Sequence, residues 1–150
     1  MSRSIDEGSS PPDDPRKVIV EQMSFQVEGR KDITFDLTAS HPDAMKLAVK
    51  EGTEYRIGIG FKVYHEIISG LKYHHVIKKN GINAEKQTYM VGSYAPRSEQ
   101  QQWSSPEEEA PSGKLYRGNY NIHSKFVDDD DEVHLEWDWE MEIKKDWDDE

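Results

Sequence analysis

The chain has 150 residues, no cysteine and a formal net charge of −11. That length suits one domain, whose core buries roughly 70% of the unfolded surface without covalent staples, and the missing cysteines exclude disulfides and thiolate metal sites. The acidity disfavours nucleic acid and anionic membrane surfaces, which need clustered Lys and Arg; it favours a basic partner or plain solubility.

No apolar run approaches the ~20 residues of a membrane span, and the N-terminal MSRSIDEGSSPPDDP has no apolar stretch to serve as a secretory signal. A cytoplasmic protein without stable membrane insertion is expected. Residues 1–15 are Ser, Pro, Gly and acid and read as a disordered segment; residues 16–150 read as the folded domain.

In chain order, Lys17 to Val27 is a strand, with Ile19, Met23, Phe25 and Val27 on one face and Glu21 interrupting it. Glu28-Gly29-Arg30 turns the chain into a short strand marked by Ile33, Phe35 and Leu37. Thr38 to Asp43 reads as a loop, and Met45 to Val49 is ambiguous. Tyr55, Ile57, Ile59, Phe61 and Val63 alternate with small or polar residues, the signature of a strand with one buried face. A further strand follows Ser69-Gly70, carrying Leu71, Tyr73, His75 and Ile77 on one face. Asn80-Gly81 is a hairpin turn because both positions tolerate positive φ. Ile82 to Val91 returns less regularly.

Gly92 to Gly113 reads as a long connection, either functional or crossing between sheets. The stretch from Lys114 to Trp147 organises the rest. Tyr116, Gly118, Tyr120, Ile122, Ser124 and Phe126 share one strand face; Val133, Leu135, Trp137, Trp139, Met141 and Ile143 share the next. Asp128 to Glu132 between them reads as too charged to bury. About seven to nine short strands and no convincing helix predict an all-β, immunoglobulin-like antiparallel sandwich of two sheets.

Catalytic signatures are missing: no Walker loop, GxGxxG or GxSxG occurs. His74 and His75 are neighbours on a strand and face opposite ways; His41, His65, His123 and His134 show no ligand spacing. Asp128 to Asp131 lacks the spaced carboxylates and Gly of a calcium loop. Neither a metal, another cofactor nor an enzymatic activity is expected.

Several stretches carry a resemblance in order: KEGTEY (50–55), FKVYHEIISGLKY (61–73), YMVGSYAP (89–96), EEAPSG (108–113), RGNY (117–120), FVDDD (126–130) and KKDW (144–147). From about Asp14 onward the chain resembles the Rho GDP-dissociation inhibitors. The resemblance implies a sandwich that holds a geranylgeranyl group between its sheets. The implied partner is a prenylated Rho-family GTPase in its GDP form, lifted from membranes and kept soluble by a carrier that is otherwise monomeric. It assigns the lipid pocket to Phe25, Leu47, Tyr55, Ile67, Leu115, Ile122 and Trp139. Of these, Phe25, Tyr55, Ile122 and Trp139 also fall on apolar faces read from alternation. Glu108 and Glu109 match an acidic pair near the GTPase's basic tail; Glu66, Glu85, Asp129 and Asp130 match GTPase-facing positions. The family's N-terminal arm, which lies on the GTPase switch regions, has no apolar counterpart in residues 1–15, so weakened inhibition of GDP release is expected. The alternative reading is a general carrier of prenyl or acyl cargo, like the delta subunit of rod phosphodiesterase.

Overall fold

The computed structural model describes residues 14–38 and 45–148. The expected disorder of residues 1–15 and the expected loop over Thr38 to Asp43 fall largely outside them. Among the described residues there are ten strands: β1 (Val18–Gln26), β2 (Ile33–Asp36), β3 (Lys46–Lys50), β4 (Glu54–Val63), β5 (Ile68–Lys79), β6 (Ile82–Tyr94), β7 (Gln101–Ser104), β8 (Glu108–Glu109), β9 (Gly118–Val127) and β10 (Val133–Lys144). One 3₁₀ turn, Lys114–Tyr116, precedes β9. The strands form two sheets, in the orders β3-β10-β9-β5-β6 and β2-β1-β4-β7, with β8 added to β4. The fold is an all-β immunoglobulin-like sandwich.

Its core follows the alternation. Tyr55, Ile57, Ile59, Phe61 and Val63 are all buried on β4, as are Leu71, Tyr73 and His75 on β5 and Tyr120, Ile122, Ser124 and Phe126 on β9. A polar chain crosses this interior. Ser124 Oγ accepts a hydrogen bond from Trp139 Nε1–H at 3.0 Å and shares another with Tyr73 Oη at 2.7 Å. Burial of the indole and phenol is tolerated because their polar ends are paired. The Asn80-Gly81 turn has φ of 55° and 77°, the left-handed values that a tight hairpin needs.

Two local readings are corrected and two open ones are resolved. On β1 the buried apolar residues are Val18, Val20, Met23 and Phe25, not Ile19. The pairing with β4 skips from Val20↔Phe61 to Gln22↔Gly60, so Glu21 is the extra residue of a bulge and the inward parity changes there. Ser69-Gly70 does not precede a strand; it lies inside β5, at a register shift between Ile68 and Leu71. Gly70 has φ 63°, and a Cβ there would meet the Asp129 carboxylate. The ambiguous Met45 to Val49 segment contains β3, which runs parallel to β10 and makes its sheet mixed. The long connection contains β7 and β8 and carries the chain from one sheet to the other.

Asp128 is not a solvated turn residue; it is 6% exposed. Its Oδ1 accepts the N–H groups of Asp130 at 2.9 Å and Glu132 at 3.1 Å. Its Oδ2 lies 3.0 Å from His134 Nε2, which must donate because a carboxylate can only accept. Burial works against the charge, but the bonds from the Glu132 backbone, His134 and the Asp130 backbone prevail and hold the carboxyl below its ordinary 3.8. A depressed acid stabilises the fold fully above its unfolded value, and that contribution disappears as pH falls through the folded one. Asp128→Asn is therefore expected to lower the urea midpoint at pH 6, by about 1–3 kcal/mol in stability. The gap to wild type should narrow as pH drops from about 5 towards 2. A gap independent of pH would remove the charge from this account.

Candidate functional site

At one end of the sandwich the sheets part. The inward stripes of three adjacent strands end there together: Ile77 of β5, Tyr120 and Ile122 of β9, and Met141 and Ile143 of β10. Strand register aligns them, with Ile122 opposite both Ile77 and Trp139, and Tyr120 opposite Met141. Tyr55 of β4, Pro111, and Leu115 and Tyr116 of the 3₁₀ turn close the other side. They enclose about 380 Å³, within the range of small-molecule sites and lined mainly by hydrocarbon.

The 3₁₀ turn forms the lip. Leu115 is 88% exposed and Tyr116 54%, unusual for large apolar side chains beside a cavity mouth. Polar contacts hold the turn from behind. Lys79 Nζ donates to the carbonyls of Leu115 at 2.8 Å and Arg117 at 3.1 Å, and Tyr120 Oη–H donates to the Tyr116 carbonyl at 2.6 Å. Arg117 makes a two-pronged pair with Glu51 at 3.1 and 3.0 Å, and the Gly113 N–H donates to Glu51 Oε1 at 2.7 Å. Arg117 and that N–H keep the Glu51 carboxyl below its usual range. The apolar lip is thus presented by a braced backbone.

Three carboxylates, Glu85, Glu108 and Glu109, stand at the rim. Tyr89 Oη–H donates to Glu108 Oε2 at 2.6 Å. Burial and then this bond push the Tyr89 phenol far above its ordinary value, so it remains a donor. Further in, burial pushes the His75 imidazole down to about 4, leaving it neutral in the interior. Among the described residues no group of three or more His, Asp or Glu could hold a metal ion.

Of the seven residues assigned to a lipid pocket, Tyr55, Leu115 and Ile122 line this cavity. Phe25 stacks on Tyr55 from behind, with ring centroids 4.8 Å apart. Leu47 and Trp139 are buried in the core outside its walls, and Ile67 is 65% exposed. Ile67 sits before β5, at the opposite end of that 12-residue strand, on the order of 35 Å from the mouth. The six acids divide the same way. Glu85, Glu108 and Glu109 gather at the rim. Glu66 lies 3.7 Å from Lys17, and Asp129 lies 3.8 Å from Lys72 at the far end; Asp130 follows it in the same turn. Sequence reasoning did not single out Ile77, Tyr120, Met141, Ile143, Tyr116, Pro111, Ala84 or Lys79 as cavity residues. The first five lie on stripes it had identified, but alternation does not tell which end of a stripe opens.

These features define a cavity-bearing immunoglobulin-like sandwich. The chain belongs to the family described as RHO protein GDP dissociation inhibitor, whose model matches residues 4–146. It is 42% identical over 134 residues to the probable rho GDP-dissociation inhibitor of Caenorhabditis elegans, covering 87% of this chain and 70% of that one. It is 49% identical over 118 residues to Rho GDP-dissociation inhibitor 1 of Homo sapiens, covering 79% of this chain and 57% of that protein. The Rho GDP-dissociation inhibitor of Schizosaccharomyces pombe is 40% identical over 144 residues, 93% of this chain and 70% of the yeast protein. Among solved structures, a Niemann-Pick type C2 protein from the Japanese carpenter ant superposes with a TM-score of 0.51 at 8% identity, covering 88% of this chain and 98% of that one; this is a likeness of fold alone. No helix among the described residues is long and apolar enough to cross a membrane.

Proposed function

We propose that this chain regulates Rho-family GTPases by enclosing their geranylgeranyl group in the cavity, drawing them from membranes in the GDP form and keeping them soluble. It acts by binding, without catalysis and without a cofactor. The observation that carries the reading is the apolar hollow with an exposed Leu115 lip and three carboxylates at its rim. Membership of the Rho family branch favours this over a general prenyl or acyl carrier.

Magnitudes explain why both parts are needed. Each buried CH₂ contributes about 0.8 kcal/mol, so a chain of about 20 carbons represents roughly 10 kcal/mol or more. A bilayer offers nearly the same, so lipid transfer is close to an exchange. The rim tips it: a basic tail beside Glu85, Glu108 and Glu109 exchanges anionic headgroups, worth ~1 kcal/mol per basic residue, for protein carboxylates. A GTPase with its geranylgeranyl group is expected to bind at least a hundredfold more tightly than the same GTPase without it, measured by titration in detergent-free buffer. Equal affinities would remove the cavity from the mechanism.

A further inference from the structure

Three adjacent strands, β5, β6 and β9, carry a charge opposite to that of the chain. In a sequence with 30 acidic residues they contain a single one, Glu85, and it stands at the cavity rim on the inner side. Lys79 braces the lip, whereas Lys72, Lys78, Lys86 and Lys125 alternate with inward residues and face outward. Register gathers them: Lys125, His74 and Thr88 form one row, and His123, Val76 and Lys86 the next. A groove of about 270 Å³ runs between these rows. Lys78, Lys86 and Lys125 have no ion pair among the described residues, and Lys72 lies 3.8 Å from Asp129. Burial, then Lys125 and Lys72, hold the His74 imidazole below its ordinary 6.5 against the pull of Asp131. On the β10 side the face is bounded by Glu136 and Asp138, each 2.8 Å from His123. On the β6 side it ends at Met90, which lies opposite Lys72 and is 63% exposed. The face also backs directly on the cavity. Val76 and Ile77, Lys86 and Glu85, and His123 and Ile122 are sequence neighbours, one of each pair lining the groove and the other the hollow.

We propose that the outer face of β5, β6 and β9 docks on anionic bilayers, with Lys78, Lys86 and Lys125 among the lipid headgroups and the β6 edge leading, so that the cavity mouth is held beside the membrane surface. The lysines spread over three strands of a flat face instead of following one line, and an exposed methionine borders them; that pattern suits a bilayer better than an acidic peptide. The net charge of −11 does not forbid it. Charges beyond a Debye length of ~8 Å are largely screened, and the opposite sheet lies a layer of about 10 Å behind. The acids of β10 are nearer, which is why the β6 edge leads. The inference adds to the carrier reading the surface through which the carrier meets a membrane.

The test uses the full chain without cargo and sedimentation with two kinds of vesicle, phosphatidylcholine alone and an equimolar mixture with phosphatidylserine. Wild type is expected to prefer the mixed vesicles at least tenfold at low salt and to lose the preference at high salt, each lysine being worth a factor of about five. Lys86→Glu with Lys125→Glu should abolish the preference, and Lys86→Gln with Lys125→Gln should reduce it part-way. Lys31→Glu with Lys62→Glu changes the net charge equally but lies on the other sheet and its turn, and should retain it. Equal losses in the two glutamate pairs, or a wild type indifferent to phosphatidylserine, would overturn the docking face. Capture of soluble polyglutamate without vesicle binding would give the face to acidic peptides and overturn it too. These vesicles carry no prenyl group, so the face can fail while the cavity stands, and titration with geranylgeranyl-cysteine tests the cavity separately.

Discussion

Leu115→Ser is expected to weaken geranylgeranyl binding about 10- to 100-fold and to leave the unfolding midpoint where it is. The leucine is 88% exposed, so the empty fold gains almost nothing from it. Its side chain becomes buried only when hydrocarbon covers it, and covering a leucine contributes about 1.5–3 kcal/mol. The backbone of its turn is fixed by Lys79 and by the Glu51–Arg117 pair. Few positions separate binding from folding so cleanly. Titration with geranylgeranyl-cysteine and urea unfolding of the same preparation give both numbers. A lost midpoint with unchanged lipid affinity would show that the lip belongs to the fold and not to the site.

Trp139→Ala should do the reverse. Trp139 is 3% exposed and donates to Ser124 Oγ at 3.0 Å, one layer deeper than the cavity wall. Removing a buried indole costs about 3–5 kcal/mol through lost transfer energy and the void left behind. That is a large fraction of the ~5–15 kcal/mol that holds a domain folded. The variant is expected to unfold at far lower urea, and the weaker lipid binding that accompanies it should follow the folded fraction. Trp139→Phe retains most of the volume but not the donor and should recover most of the loss. Lipid affinity that falls in Trp139→Phe while stability is regained would place the indole in direct contact with the lipid.

The contrast between Leu115 and Trp139 also shows what was legible in the sequence. Alternation identified the inward residues of β4, β5, β9 and β10, because side-chain period is fixed by the strand itself. It could not say that the stripe opens beside Tyr120 and closes at Trp139, since both are aromatic and both face inward. Glu21 misled the reading of β1, because a bulge reverses parity without a distinctive residue. The charged run after Phe126 hid a buried Asp128, whose burial depends on two backbone N–H groups and His134 that only the folded turn brings together. β3 was ambiguous because five residues carry too short a pattern, and its partner lies near the other end of the sequence. The acids split between the two ends of β5 for a similar reason: separation in sequence does not reveal which end of a long strand a side chain occupies.

The parallel pairing of Lys46 with Glu140 joins residues 94 positions apart. β10 lies between β3 and β9, so the last strand described is an interior slat of its sheet, not a border. During synthesis β3 and β9 thus emerge before the strand that separates them, and each waits with an unsatisfied backbone edge. Closure of such distant pairs is slow because loop entropy must be met before any contact rewards it. A nascent chain halted before Val133 therefore exposes two unpaired strand margins, open to pairing with the wrong partner until β10 slots between them.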